Sequence, residues 1–160
     1  ANFLLKLSTE NKTKRQAGFP EEYECFLWVV VISYYSMFYI ANAALAKIGL
    51  KAGDKMPHKV VQDALIVYFL KNKKLAKTLL ADYKATKAEV LNLMNINEEE
   101  LMKEFEMKVK EIIATFDYQR RKRGEFQYEI KISAKEQVAK TSLDRSRIFI
   151  QEMNKILQMP

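Results

Sequence analysis

Arg120 and Arg123 lie in the stretch of this chain best suited to chemistry, Tyr118-Gln119-Arg120-Arg121-Lys122-Arg123-Gly124-Glu125-Phe126-Gln127-Tyr128. On a helix the two arginines are three apart and share a face, while Arg121 and Lys122 point elsewhere. Two forked guanidiniums on one face can hold phosphate oxygens through paired N–H donors. Tyr128 follows Arg123 with four residues between. The same residues also suit a plainer role, a solvated helix end whose cations complement the negative end of the helix dipole.

The only histidine is His58, directly after Pro57, where a helix begins. A helix N-terminus lowers an imidazole's pKa and keeps it neutral, which suits either a cap or a general base. Metal binding is disfavoured, because one His and one distant Cys cannot supply three or four ligands. No cofactor is expected. Glycine-rich phosphate loops, GxSxG elbows and CxxC pairs are absent, so common nucleotide-hydrolysing, hydrolase and redox motifs find no support. Asn42 is a further polar candidate, with a satisfied core amide as its alternative.

These residues must be positioned by helices. The chain has 160 residues with only Gly 4 and Pro 3, enough for one domain, 1–160, with a sizeable core and too few breakers for the turns of a sheet. The expected class is all-α. The net charge of +7 suggests an anionic partner such as RNA, a nucleotide or an acidic protein. Cys25 is the single cysteine, so no intrachain disulfide can form, and its apolar setting predicts a buried thiol. The first residues, ANFLLKL, lack the basic start of a signal peptide, which makes a cytoplasmic setting the default expectation.

The central element is Cys25–Leu50, without a formal charge between Glu24 and Lys47 and apolar all round a helical wheel. It is long enough to cross a bilayer. Ser33, Tyr34, Tyr35, Ser36, Tyr39 and Asn42 argue instead for a bundle core, since lipid offers their polar groups no partner. Trp28, Ile32, Tyr35, Phe38 and Leu45 are expected to be largely buried.

Around it the sequence predicts a short, mostly solvated helix over Asn2–Ala17 closed by Gly18, and an entry to the central helix at Phe19-Pro20-Glu21-Glu22. After the loop Lys51–Pro57, helical spacing resumes over His58–Leu70 with Val61, Leu65, Tyr68 and Phe69 on one stripe. Asn72–Met94 reads as one or two helices. Asn95-Ile96-Asn97 before Glu98-Glu99-Glu100 reads as the start of a long helix ending in the basic stretch. Glu125–Ile132 alternates like an extended arm. Ser133 with Glu136 opens a last helix to about Leu157 that buries Val138, Ile148, Ile150, Met153 and Leu157.

Taken together, Ser33-Tyr34-Tyr35-Ser36-Met37-Phe38-Tyr39 with Ala41 and Ala43-Ala44 behind it, the Pro57-His58 helix start, the late Arg followed by Tyr128, and the closing TSLDRSRIFIQEMNKIL resemble the HEPN superfamily. The resemblance covers most of the chain, Lys73–Asn97 being longer than compact members need. It implies an all-α, HEPN-like helical bundle around an aromatic-rich helix, with one or two extra helices inserted, that commonly dimerises. Catalytic members pair an Arg and a His, with four to six residues between them, in a metal-independent ribonuclease site shared across the dimer, and many work beside a minimal nucleotidyltransferase as toxin and antitoxin.

Carried onto this chain, the Arg position falls on Arg123, or less well on Arg120, and the His position on Tyr128. Tyrosine, with a pKa near 10, is a poor base at neutral pH where histidine would serve. Some branches carry Tyr there, usually after Asp; here Gln127 precedes it. The resemblance therefore implies a homodimer that binds RNA or nucleotide phosphates through Arg120, Arg121, Lys122, Arg123 and Tyr128, possible partners including a minimal nucleotidyltransferase but no membrane. Two alternatives stand beside it: a ribonuclease in which His58 or a partner group replaces the motif histidine, and a structural partner protein without nucleic-acid contact.

Overall fold

A computed structural model describes residues 1–53, 57–98, 100–101 and 136–159. Every regular element among them is a helix: α1 (Asn2–Thr9), α2 (Asn11–Ala17), α3 (Phe26–Lys47), α4 (Pro57–Ala64, running on into a π-helical turn over Leu65–Leu70), α5 (Lys77–Met94) and α6 (Glu136–Gln158). The protein is an all-α bundle. Its axis is α3, at 22 residues about 33 Å long, which packs most extensively on α6 and then on α5, α1 and α4.

The reason is compositional. A helix without charge for its whole central length gains free energy only by being covered, and Val29, Val30, Val31, Tyr34, Met37 and Ala41 are wholly shielded from solvent. By length and composition α3 could cross a membrane, yet 61% of its most apolar window lies inside the protein. That is compatible with a soluble core helix. Tyr35, Phe38 and Leu45 are buried as expected, while Trp28 and Ile32 are only half-buried. They share a stripe with Ser36 and the exposed Tyr39 and Ala43, the least covered side of α3 among the described residues.

The N-terminal region departs from the sequence reading in two ways. Glu10 adopts an extended conformation and splits the expected single helix into α1 and α2, and Lys14 is buried. Its ammonium donates to the carbonyl of Glu21, holding residues 19–24 in a turn where Phe19 and Tyr23 stack at 4.2 Å. The central helix therefore starts at Phe26, not at Pro20. Its first orphan donor is satisfied from elsewhere: the Cys25 N–H donates to Ser8 Oγ at 2.9 Å, and Ser8 in turn donates to the Leu4 carbonyl at 2.9 Å. Cys25 is buried there, and desolvation holds its thiol above the usual range.

At the other end Gly49, with φ of 78°, takes the left-handed position that lets Leu50 N–H reach back to the Leu45 carbonyl at 3.0 Å, a helix stop that favours glycine. Lys47 donates to the Leu157 carbonyl at 2.8 Å, so α3 and α6 end side by side. Asn95, also left-handed with φ of 52°, stops α5 in the same manner. Asn72–Met94 thus contributes one helix, α5.

In α4 the stripe is His58, Val61, Leu65 and Phe69, and Tyr68 is exposed instead of buried. The π turn explains both. Spacing by four in an α-helix drifts about 40° per step, whereas the wider turn rotates each residue by roughly 80° and reverses that drift. Phe69 is brought back over Val61, and Tyr68 is carried off the stripe.

The buried face of α6 is Ala139, Ser142, Leu143, Ser146, Phe149, Met153 and Ile156. This corrects the expected set: Ile148 is 51% exposed, Val138, Ile150 and Leu157 are half-buried, and only Met153 holds its place. Two small serines sit on the true inner face, where Ser146 donates to its own helix and Ser142 to Glu89 of α5. Glu89 also accepts from Arg145 at 2.7 Å, and Tyr83 stacks on Phe149 at 5.6 Å, so α5 and α6 run antiparallel.

The two readings of α6 separate in one experiment. Phe149→Ala should cost about 3–5 kcal/mol of unfolding free energy, whereas Ile148→Ala should cost well under about 1 kcal/mol. Urea denaturation of both variants, giving similar losses or the reverse order, would contradict the register.

Candidate functional site

Arg120, Arg121, Lys122, Arg123 and Tyr128 lie outside the described residues, as do the expected arm Glu125–Ile132 and Ser133. Of the sequence candidates the structure places His58 and Asn42. Asn42 is half-buried and donates to the Phe38 carbonyl at 2.9 Å, the local satisfaction of a polar group on its own helix.

His58 stands at the start of α4 but turns into the core and is 1% exposed. Its ring lies 4.2 Å from Phe38, 5.5 Å from Tyr34 and 5.6 Å edge-on from Tyr35. Nδ1 shares a hydrogen bond of 2.8 Å with the Tyr34 hydroxyl, and Nε2 has no partner among the described residues. The ring serves the aromatic core and does not cap the helix backbone. Aromatic spacing on α3 produces this nest: Tyr34, Tyr35 and Phe38 fall on the side that α4 covers.

A second polar layer adjoins it. Lys87 of α5 is 4% exposed, and its ammonium contacts Glu98 at 2.6 Å and Gln62 at 3.2 Å. Tyr83, one turn before Lys87, is fully buried with its ring 5.6 Å from Tyr34. Beyond α5 the chain is held by a reciprocal cap: Glu100 N–H donates to Asn97 Oδ1 and Asn97 N–H to Glu100 Oε2, both at 3.0 Å. This is the helix start expected from Asn97 and its acidic neighbours. Tyr35 then donates to the Leu101 carbonyl at 2.8 Å.

The electrostatics follow from burial. Desolvation, followed by the Lys87 charge, pulls His58 down to about 4, with Glu98 opposing. The neutrality expected at the helix start is present, but its cause is the dry surroundings and a neighbouring cation. Tyr34 and Tyr83 are pushed well above the ordinary phenol range, chiefly by burial. No group of three or more metal-ligating side chains gathers among the described residues.

Such an arrangement can donate and accept hydrogen bonds inside the core, but it offers His58 no route to a solvent-borne substrate among the described residues. Sequence reasoning singled out His58 and missed Lys87, Tyr83 and Glu98. The available signal was Tyr83 and Lys87 four apart, on one face of a helix that the aromatic run would have to cover. No family model, no curated protein and no solved structure matches this chain.

His58 makes stability depend on pH. Its folded pKa lies below the unfolded value near 6.5, so the unfolded chain takes up the proton first as pH falls. The stabilisation is complete above about pH 6.5, is lost progressively down to about pH 4 and levels off below, amounting to about 3 kcal/mol at most. In His58→Gln this contribution should vanish, flattening the stability profile between about pH 6.5 and 5, above most carboxylate titration. Urea denaturation across that range showing equal slopes in both proteins would contradict the assignment.

Proposed function

We propose that this chain is a HEPN-like binding module that forms a homodimer and holds RNA or nucleotide phosphates through Arg120, Arg121, Lys122 and Arg123, with Tyr128 donating a hydrogen bond. Its setting is cytoplasmic, and a minimal nucleotidyltransferase in a toxin–antitoxin type of system is the protein partner this reading implies. The observation that carries binding over cleavage is the position of His58. The chain's only imidazole is buried, neutral and bonded to Tyr34, and a phenol in the motif position cannot replace it as a base at neutral pH.

The net charge of +7 supports an anionic ligand. An all-helical bundle around the aromatic helix is what the superfamily resemblance implies. Exposed Tyr39, Val67 and Tyr68 supply apolar surface for a second copy.

The test uses a labelled single-stranded RNA of about 20 nucleotides. Arg120→Ala/Arg123→Ala should weaken binding and make the dependence on log salt shallower by about 0.7 per lost phosphate contact, with an unchanged melting temperature. Tyr128→Phe should cost about 1 kcal/mol if its hydroxyl bonds a phosphate. No cleavage above background is expected at neutral pH. Unchanged affinity and salt slope in the double variant would overturn the binding reading; cleavage lost on replacing His58 would favour the ribonuclease. Sedimentation at micromolar concentration should give a dimer, and monomer alone would remove that part.

A further inference from the structure

The segment that joins the π turn to α5 carries an unbalanced charge. From Leu65 to Ala81 the chain has four lysines, Lys71, Lys73, Lys74 and Lys77, and no aspartate or glutamate. All four are exposed, as is Lys84, two turns along α5 from Lys77. None of these five side chains has an ion pair or a hydrogen bond among the described residues. On α6 the opposite holds. Lys140, Arg145, Arg147 and Lys155 each face a carboxylate, from Glu136, from Asp82 with Glu89, from Asp144 and from Glu152 in turn.

The backbone that displays the lysines is firmly built. Lys73 and Lys74 N–H donate to the Leu70 and Phe69 carbonyls at 3.0 and 2.8 Å, and Leu75 N–H also reaches Phe69 at 3.1 Å. Leu75 is 3% exposed and pins the segment to the core. Lys73 takes the left-handed region, with φ of 55°, which glycine or asparagine adopts at lower cost. Like charges this close in sequence also repel one another. Neither local conformation nor stability favours lysine at these positions.

We infer that Lys71, Lys73, Lys74, Lys77 and Lys84 form a docking face for the phosphate backbone of an RNA strand. Charge complementarity carries this: ammonium groups hold phosphates as point charges, and a polyanion repays them by releasing counterions. A lipid surface suits the face less well. The exposed residues from Lys71 to Thr78 are lysines, Asn72, Ala76 and Thr78, with no large apolar side chain to enter a bilayer. Val67 and Tyr68, just before them, belong to the surface proposed above for a second copy. The docking face rests on the proposed RNA ligand but on none of the residues assigned to it, so the two readings fail separately.

The same labelled RNA, titrated across a salt series, tests the face. Lys73→Gln/Lys74→Gln/Lys77→Gln should weaken binding about tenfold and make the dependence on log salt shallower by about 2, at about 0.7 per lost phosphate contact. Lys6→Gln/Lys12→Gln/Lys140→Gln removes the same charge from exposed positions on α1, α2 and α6 and should leave the slope unchanged. Equal losses in the two triple variants would reduce the effect to net charge and overturn the face, as would unchanged affinity in the first. Melting temperatures should match the parent's, since the replaced side chains are exposed; if the first variant melts early, Lys77→Gln alone, with a slope loss of about 0.7, decides. Binding weakened only by Arg120→Ala/Arg123→Ala would leave the proposed function standing and remove this face, and binding weakened only by the lysine changes would do the reverse. No RNA binding by the parent removes both. Lysine-dependent binding to vesicles of phosphatidylserine and phosphatidylcholine, with RNA affinity unchanged, would assign the face to lipid and overturn the inference.

Discussion

One constraint governs this molecule: a helix of 22 residues with no charge before its last residue must be kept from water on nearly every side. Among the described residues four other helices cover it, and the cost of ordering them is recovered from the burial that α3 makes possible. The ends of α3 are then held by side chains from distant segments, Ser8 at the start and the Lys47 link to α6 at the finish. Neither contact would hold these segments together alone. Both follow from the helix already being enclosed.

The aromatic residues on α3 turn that enclosure into a specific arrangement. A valine-only helix would accept α4 at many rotations, but the hydroxyls of Tyr34 and Tyr35 each demand a partner once buried. Tyr34 meets His58, which sets α4 against the helix; Tyr35 meets the Leu101 carbonyl, which sets the chain leaving α5. Polar contacts of this kind are better read as choosing one packing among several than as large net contributions to stability.

What could be read from the sequence follows the same division. The class, the central helix, its burial and the buried thiol were legible because they depend on composition and on breakers, which are local. The glycine stop at Gly18 and the Asn97 cap were legible for the same reason. The faces of α4 and α6 were not fully legible. Phe149 and Ile148 are adjacent and both apolar, and the true inner face also carries Ser142 and Ser146, which an apolar pattern alone does not pick out. The π turn that moves Tyr68 outward has no local signature in LIVYFL. The start of α3 was misplaced by six residues because the decisive partners, Ser8 and Lys14, lie more than a turn away in sequence.

The chemistry divides between two environments that make opposite demands. Guanidiniums that hold phosphates work in contact with water, where the anion arrives and counterions leave; an imidazole near pKa 4 exists only where water is excluded. His58 cannot serve both. A base for RNA cleavage must titrate near neutrality and reach a ribose hydroxyl, and each aromatic ring packed on His58 moves it further from the first condition while closing off the second. The aromatic packing that makes α3 a good core thus removes the chain's only histidine from acid–base work. For the proposed binding of an anion, the sequence supplies charge and hydrogen-bond donors at Arg120 and Arg123, and neither needs a titrating base.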